Sequence, residues 1–125
     1  MTSYNDLKSF YDSTLICFID SPDTYFKEGA HLYIITAANP FSRSQKQVLN
    51  RNSNKKLETD LVNMDLVFGK CIGGSVDGAW QEESFWVICT KEEVLTSLGR
   101  TYKQNAIYKA KSPYDIQVIW LSDKQ

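Results

Sequence analysis

The chain has 125 residues, an apolar fraction of 42% and a net charge of −1, a combination typical of one folded domain with a single sizeable hydrophobic core. A pI of about 5.8 argues against the broad basic surface with which proteins bind duplex nucleic acid. No stretch reaches the roughly 18 apolar residues of a membrane span, and the first residues lack the pattern of a secretory signal. We therefore expect a cytoplasmic protein with neither a membrane nor a duplex nucleic acid as partner.

The pattern of apolar residues predicts three helices and six strands. In chain order they are a helix over residues 2–12, strands over 15–19 and 31–37, a helix over 42–64, strands over 67–76 and 84–90, a helix over 91–102, and strands over 105–109 and 115–121. The order α-β-β-α-β-β-α-β-β predicts an α+β fold, in one domain over residues 1–125, with a largely antiparallel sheet of about six strands and two to three helices.

Local sequence signals support several of these elements. The run over 31–37 is apolar almost throughout, which indicates a central strand buried on both faces. Ser42 or Ser44 is a suitable N-cap for the long helix. Asp77-Gly78 is typical of a hairpin turn, and Thr90-Lys91-Glu92-Glu93 has the spacing of a capping box at the start of the next helix.

The cysteines and the single histidine do not have the spacing of a metal site. Cys17, Cys71 and Cys89 lie far apart in apolar segments, as expected of small buried side chains in a reducing compartment. His31 is the only histidine, so a His/Cys metal centre and a nucleophile–histidine pair both have little support. We expect no bound metal and no cofactor.

The long helix has an apolar stripe that becomes polar toward its N-terminus. Leu57, Leu61 and Met64 fall on one core-facing stripe, and the same stripe continues backwards through polar and basic residues, namely Arg43, Lys46, Asn50 and Asn54. Such a helix has either left the core or lines a polar cavity. Since asparagine is a poor helix former, either the helix is interrupted near residues 50–54 or these amides have a role.

The strand over 31–37 runs directly into the polar turn Asn39-Pro40-Phe41-Ser42. The free N–H groups and the dipole of a helix N-terminus favour an anion, and Arg43 and Lys46 would add positive charge. Asn39 and Ser42 offer hydrogen bonds beside it. We therefore predict a site for a small anionic ligand at this turn. The alternative is that Asn39 and Ser42 only cap the local backbone, while the two cations are solvated.

Glu82 is the candidate for acid–base chemistry. It adjoins Glu83, but neighbouring residues of a strand point to opposite faces, so the two carboxyls cannot act as a pair. One of them must point inward if a helix covers the hairpin. If the domain is an enzyme, Glu82 is the only reasonable general base.

Four segments of the chain resemble a small bacterial family of domains of unknown function. They are ITAANPFS over 35–42, the spaced Asn50, Asn54 and Leu57, the stretch from Gly74 to Phe85, and YKQNAIY over 102–108. Ala38 departs from the family pattern, which usually has an aromatic residue before Asn-Pro. The resemblance implies a small stand-alone domain without an assigned reaction. By matching position it implies a shared polar set: Asn39, Ser42, Asn50, Asn54, Glu82 and Gln104.

Two functions fit these observations. The first is a ligand-binding domain for a nucleotide or another phosphorylated small molecule, with a pocket between the Asn39 turn, the polar end of the long helix, Glu82 and Gln104. The second is a protein–protein interaction module without catalytic activity, such as a small inhibitor or adaptor carried by a mobile element. The aromatic content of 13% and the lack of a catalytic pair favour the second function. On balance we nevertheless expect ligand binding and keep the interaction module as the alternative.

Overall fold

A computed structural model describes residues 12–121 of the chain. Over this part the strands are β1 (Leu15–Phe18), β2 (Leu32–Ile35), β3 (Val67–Gly74), β4 (Gln81–Ile88), β5 (Ala106–Ser112) and β6 (Asp115–Trp120). The helices are α1 (Asp23–Lys27), α2 (Gln47–Asn63) and α3 (Glu92–Thr101), and a 3₁₀ turn spans Pro40–Ser42. The predicted α+β class is confirmed. The helix predicted over residues 2–12 lies almost wholly outside the described residues.

The six strands form one antiparallel sheet in the order β1-β3-β4-β2-β5-β6. The pairs β3–β4 and β5–β6 are hairpins of consecutive strands, whereas β2 lies between β4 and β5 and pairs with both. Ile34, for example, lies opposite Trp86 on one side and Tyr108 on the other. All four residues of β2 are buried, which confirms the predicted central strand.

Each face of the sheet packs against its own apolar cluster. The first cluster lies under α2 and α3 and includes Leu57, Leu61, Leu95, Leu98, Ile35 and Val87. The second includes Leu32, Ile34, Cys71 and Trp86, with Tyr25 and Phe26 of α1 packed against it. Because successive strand residues point to opposite faces, the unbroken apolar run of β2 contributes to both clusters. Each fully buried aliphatic side chain contributes about 1.5–3 kcal/mol.

The predicted start of the long helix and the predicted caps are wrong. Helix α2 begins at Gln47 rather than near Ser42, and neither its N-cap, Lys46, nor the N-cap of α3, Lys91, makes a side-chain capping hydrogen bond. The segment after the Asn39 turn is extended, because Arg43 already has β-region dihedral angles. The predicted capping box at Thr90 therefore does not form.

The predicted apolar stripe of α2 is correct for Leu57 and Leu61 but wrong for Met64, which is 47% exposed. Met64 is the C-cap residue and lies beyond the last turn of α2. The three cysteines are free, but only Cys71 is fully buried, and Cys17 is exposed on the edge strand β1. Gly78 has a φ of +73° in the loop between β3 and β4, so the predicted turn at this dipeptide is confirmed.

Candidate functional site

The chain leaves β2 through a turn held in an unfavourable backbone conformation. Asn39, Phe41 and Ser42 have φ values of +47°, +54° and +62°, in a region that side-chain-bearing residues enter at a cost of about 1 kcal/mol or more each. Asn39 also precedes Pro40, a position that favours extended backbone. The turn is fixed by hydrogen bonds from Ser42 N to Asn39 O at 2.8 Å and from Phe41 N to Lys103 O at 2.6 Å. Such a conformation persists only where the surrounding structure enforces it.

The Asn39 side chain joins this turn to α2 and to β4. Its Oδ1 accepts hydrogen bonds from Gln45 N and from Asn50 Nδ2, both at 2.9 Å. Its Nδ2 donates to Glu82 Oε2 at 2.8 Å, and its backbone N–H donates to Asn50 Oδ1 at 2.9 Å. Asn39 and Asn50 are therefore reciprocally bonded, and Asn39 uses both ends of its amide.

Asn54 docks the middle of α2 onto the ends of two strands. Its Oδ1 accepts from Ala37 N at 2.8 Å, and its Nδ2 donates to Glu83 O at 3.0 Å. Ala37 lies just beyond β2, where the sheet no longer supplies a partner for its N–H group. Helix α2 runs without a break through residues 50–54, so the alternative of an interrupted helix is excluded. The amides of Asn50 and Asn54 instead accept hydrogen bonds from the backbone.

Gln104 and Asn105 support the same turn from the side of β5. Gln104 Nε2 donates to Ala38 O at 3.1 Å and to Tyr102 O at 3.2 Å. Asn105 Nδ2 donates to Ser42 Oγ at 3.0 Å. Asn105 was not among the predicted residues, although it lies inside the segment that carried the family resemblance. Both residues are buried, so their amides bond to protein groups rather than to solvent: Gln104 to backbone carbonyls and Asn105 to the Ser42 hydroxyl.

Glu82 lies between two cavities. It lines an outer cleft of about 690 Å³ between the start of α2 and β4, and an inner cavity of about 20 Å³, which is roughly the room needed by one water molecule. Burial raises the pKa of Glu82 to about 7, although the hydrogen bond from Asn39 acts in the opposite direction. Near neutral pH this carboxyl is therefore present in both protonation states and can accept or donate a proton.

The two oxygens of Glu82 differ in their contacts with the described part of the chain. Asn39 binds Oε2, and no protein group among residues 12–121 is hydrogen-bonded to Oε1. Glu83, the next residue of β4, is exposed. The two carboxyls thus differ in surroundings, as strand alternation predicts.

The outer cleft is predominantly polar. Amide side chains line much of it, together with Trp80, one cation and two carboxylates: Asn39, Gln45, Gln47, Asn50, Asn54, Gln81, Arg51, Glu82 and Glu83. The sequence did not single out Gln45, Gln47, Arg51 and Gln81. Only Arg51 had a usable signal, since it lies one residue from Asn50 and three from Asn54 on the same helix.

The structure gathers some of the predicted site residues and separates others. Asn39, Asn50, Asn54 and Glu82 line the outer cleft, and Gln104 lines the inner cavity. Arg43 and Lys46 are exposed and do not line the cleft, and the Ser42 hydroxyl faces Asn105. The reason is that α2 begins at Gln47, so a helical projection back to Arg43 does not apply.

The described residues offer neither a cluster of metal ligands nor a helix that could span a membrane. Among residues 12–121 no group of three or more His, Cys, Asp and Glu side chains is arranged to hold a metal ion. Within the same range, none of the helices has the length and apolar character needed to cross a membrane.

Comparison with known proteins identifies a family. No curated protein and no solved structure matches the chain significantly. Residues 35–107 match the model of a family described as protein of unknown function (DUF3293). The match covers more than half of the chain and contains the Asn39 turn, α2 and the whole β3–β4 hairpin. The resemblance seen in the sequence is thereby confirmed, and the chain belongs to the DUF3293 family.

Proposed function

We propose that this chain is a cytoplasmic domain that binds a small polar molecule, a nucleotide or another phosphorylated metabolite, in the outer cleft. The observation that carries the proposal is the Glu82 carboxyl. One of its oxygens is fixed by Asn39 at 2.8 Å, and the other has no hydrogen-bond partner among residues 12–121. A half-buried carboxyl with a pKa of about 7 weakens the fold when it ionises, and such shifted groups are concentrated at functional sites.

The rest of the cleft supports the same function. Its volume of about 690 Å³ is in the range of small-molecule sites, roughly 300–1,000 Å³. Side-chain amides offer both donors and acceptors, as ligand hydroxyl groups and bases require. Trp80 adds a flat apolar surface, and Arg51 adds one positive charge.

Glu82 has a defined role in this proposal. Its Oε1 accepts a hydrogen bond from an N–H or O–H group of the ligand, while Asn39 holds the carboxyl in place. If the ligand is converted rather than only bound, Glu82 is the general base, because its pKa lies near the working pH.

The test is native mass spectrometry of gently purified protein, with each native mass compared with the denatured mass. We expect an additional mass on the wild type that is lost in Glu82→Gln. This variant keeps an oxygen for Asn39 but cannot ionise. The matched control is Glu28→Gln, which removes an exposed carboxylate that lines neither cavity and should retain the additional mass. Equal retention in both variants, or a wild type without any additional mass, contradicts the proposal.

Asn39 is a less suitable position for this test, because its replacement also damages the turn. We expect Asn39→Ala to lower the free energy of unfolding by about 2–4 kcal/mol, since three hydrogen bonds of the side chain are lost. Asn39→Gly removes the same side chain but accepts the positive φ, so its loss should be smaller by about 1 kcal/mol. Urea unfolding of both variants measures the difference. Equal losses would mean that the backbone strain at Asn39 is negligible.

A second candidate function is protein binding, as a small inhibitor or adaptor. The observation that favours it is the exposure of apolar side chains around the same turn: Phe41 is 51% exposed, and Val48 and Leu49 in the first turn of α2 are also exposed. Affinity capture with wild type and Phe41→Ser tests it. A discrete partner that is lost only in Phe41→Ser supports this function, and recovery of the same proteins by both variants contradicts it.

A further inference from the structure

A second cavity adjoins the outer cleft along α2. It has a volume of about 320 Å³ and lies between α2 and the strands β3 and β4. Three of its lining residues, Arg51, Asn54 and Glu83, also line the outer cleft, so the two cavities are adjacent. We call this second cavity the basic pocket, after its three cations Arg51, Lys55 and Lys70.

The three cations reach the basic pocket from two elements. Arg51 and Lys55 are four residues apart on α2 and therefore share one face of the helix. Lys70 comes from β3, opposite Phe85 of β4. None of the three makes an ion pair with a carboxylate among residues 12–121, although Glu58 and Glu83 line the same pocket. Their charges are therefore available to a ligand.

The charge of the lining residues changes from the outer cleft to the basic pocket. The outer cleft has two carboxylates, Glu82 and Glu83, and one cation, Arg51. The basic pocket adds Lys55 and Lys70 to Arg51 and has Glu58 and Glu83 as its acids. The end at Glu82 thus suits hydrogen-bond donors of a ligand, and the end at Lys55 and Lys70 suits negative charge.

We propose that the basic pocket binds the phosphate group of the ligand whose uncharged polar part occupies the outer cleft. This inference rests on the proposed function and deepens it. It also moves the anionic subsite away from the Asn39 turn, because Arg43 and Lys46 do not line either cavity. Donors that arrive from separate elements suit the tetrahedral oxygens of phosphate better than the planar oxygens of a carboxylate.

The spacing of the two subsites restricts the ligand. Asn50 in the cleft and Lys55 in the pocket are five residues apart on α2, which corresponds to roughly 7.5 Å along the helix axis. The ligand therefore extends along α2 from the cleft into the pocket, with its phosphate at the Lys55 end. A nucleoside monophosphate, in which a sugar separates base and phosphate, has this arrangement.

The test uses inorganic pyrophosphate as the probe and ¹⁵N-labelled protein observed by NMR. We expect shifts of the backbone amides near Arg51, Lys55 and Lys70. In the double variant Lys55→Gln/Lys70→Gln, the dissociation constant for pyrophosphate should rise about tenfold, because two charged donors are lost. The matched control is Arg43→Gln/Lys46→Gln, which removes two charges at the turn and should stay within about twofold of wild type.

The possible results separate the two proposals. An equal loss in both double variants, a loss in Arg43→Gln/Lys46→Gln alone, or no shift with pyrophosphate overturns the basic pocket. Loss of the native additional mass in Glu82→Gln without pyrophosphate binding overturns the pocket but not the cleft. Pyrophosphate binding as expected, together with an unchanged additional mass in Glu82→Gln, overturns the cleft but not the pocket.

Discussion

Glu82 is half-buried and is held by Asn39, and the folded chain favours its neutral form over its ionised form. Burial raises the pKa from the ordinary 4.5 to about 7. Between these two values the folded chain keeps the proton while the unfolded chain releases it. The stabilising effect of the neutral carboxyl is therefore fully present below pH 4.5 and is lost as the pH rises to about 7.

This difference predicts how Glu82→Gln changes the pH dependence of stability. Glutamine stays neutral, so the variant should gain about 2 kcal/mol in free energy of unfolding, relative to wild type, between pH 5 and pH 8. Urea unfolding at both pH values measures it. The control Glu83→Gln changes an exposed side chain and should follow the wild type. If Glu82→Gln and wild type changed in parallel, Glu82 would be ordinarily solvated.

At the scale of single residues, the sequence identified those site residues that interrupt a regular apolar pattern. Asn50 and Asn54 were found because they interrupt an apolar stripe, and both are buried. Gln45 and Asn105 were missed, because a single amide that bonds another polar side chain, Asn50 for Gln45 and Ser42 for Asn105, leaves no periodic trace in the sequence. Arg43 and Lys46 were projected onto a helix that begins only after them.

Helix α2 is attached to the sheet in two different ways along its length. Its second half packs through Leu57 and Leu61 into the first apolar cluster. Its first half is attached by Asn50 and Asn54, whose amides satisfy the backbone where β2 ends. The position of the cleft beside α2 thus depends on hydrogen bonds rather than on apolar packing.

We expect Asn54→Ala to lower the free energy of unfolding by about 3 kcal/mol. The substitution removes two hydrogen bonds and leaves the buried N–H of Ala37 without its partner. Asn52→Ala is the matched control, since Asn52 is exposed on the same helix and alanine is the better helix former, with a gain of up to about 0.5 kcal/mol. Urea unfolding of both variants decides the matter. Similar values for the two would show that Asn54 does not hold the helix.

The elements themselves were predictable where their patterns are long. The ten residues of α3 show a clear apolar face and were found almost to their ends. Helix α1 was not predicted and lies between the strands predicted over 15–19 and 31–37. It has only five residues, and a single helical turn shows no periodicity. The Thr90 capping box matched in spacing, yet the structure places the N-cap at Lys91.

In the whole molecule, protection from solvent should decrease from the centre of the sheet to its edges. Strand β2 is hydrogen-bonded on both sides, whereas β1 and β6 each have one neighbour within residues 12–121. Local opening releases the edges first. We expect the amides of β2 to exchange with deuterium at least about tenfold more slowly than those of β1 and β6, as measured by native-state hydrogen exchange. Equal rates would mean that the sheet opens only as a unit.

The class of the fold followed from the sequence, but the strand order did not. The apolar run over residues 31–37 predicted a central strand, and all four residues of β2 are buried. The choice of β4 and β5 as its partners is set by contacts between segments far apart in the chain, which local patterns do not record.

The position of β2 in the sheet also determines how long this strand lacks its partners during synthesis. Both of its partners follow it in the chain, and the nearer one, β4, begins only at Gln81. A growing polypeptide on the ribosome therefore presents Leu32, Tyr33, Ile34 and Ile35 with both edges unpaired until Ile88 has left the exit tunnel. Such a segment is a binding site for chaperones and for neighbouring nascent chains. The yield of folded protein in a cell should thus depend on the time between translation of these two strands.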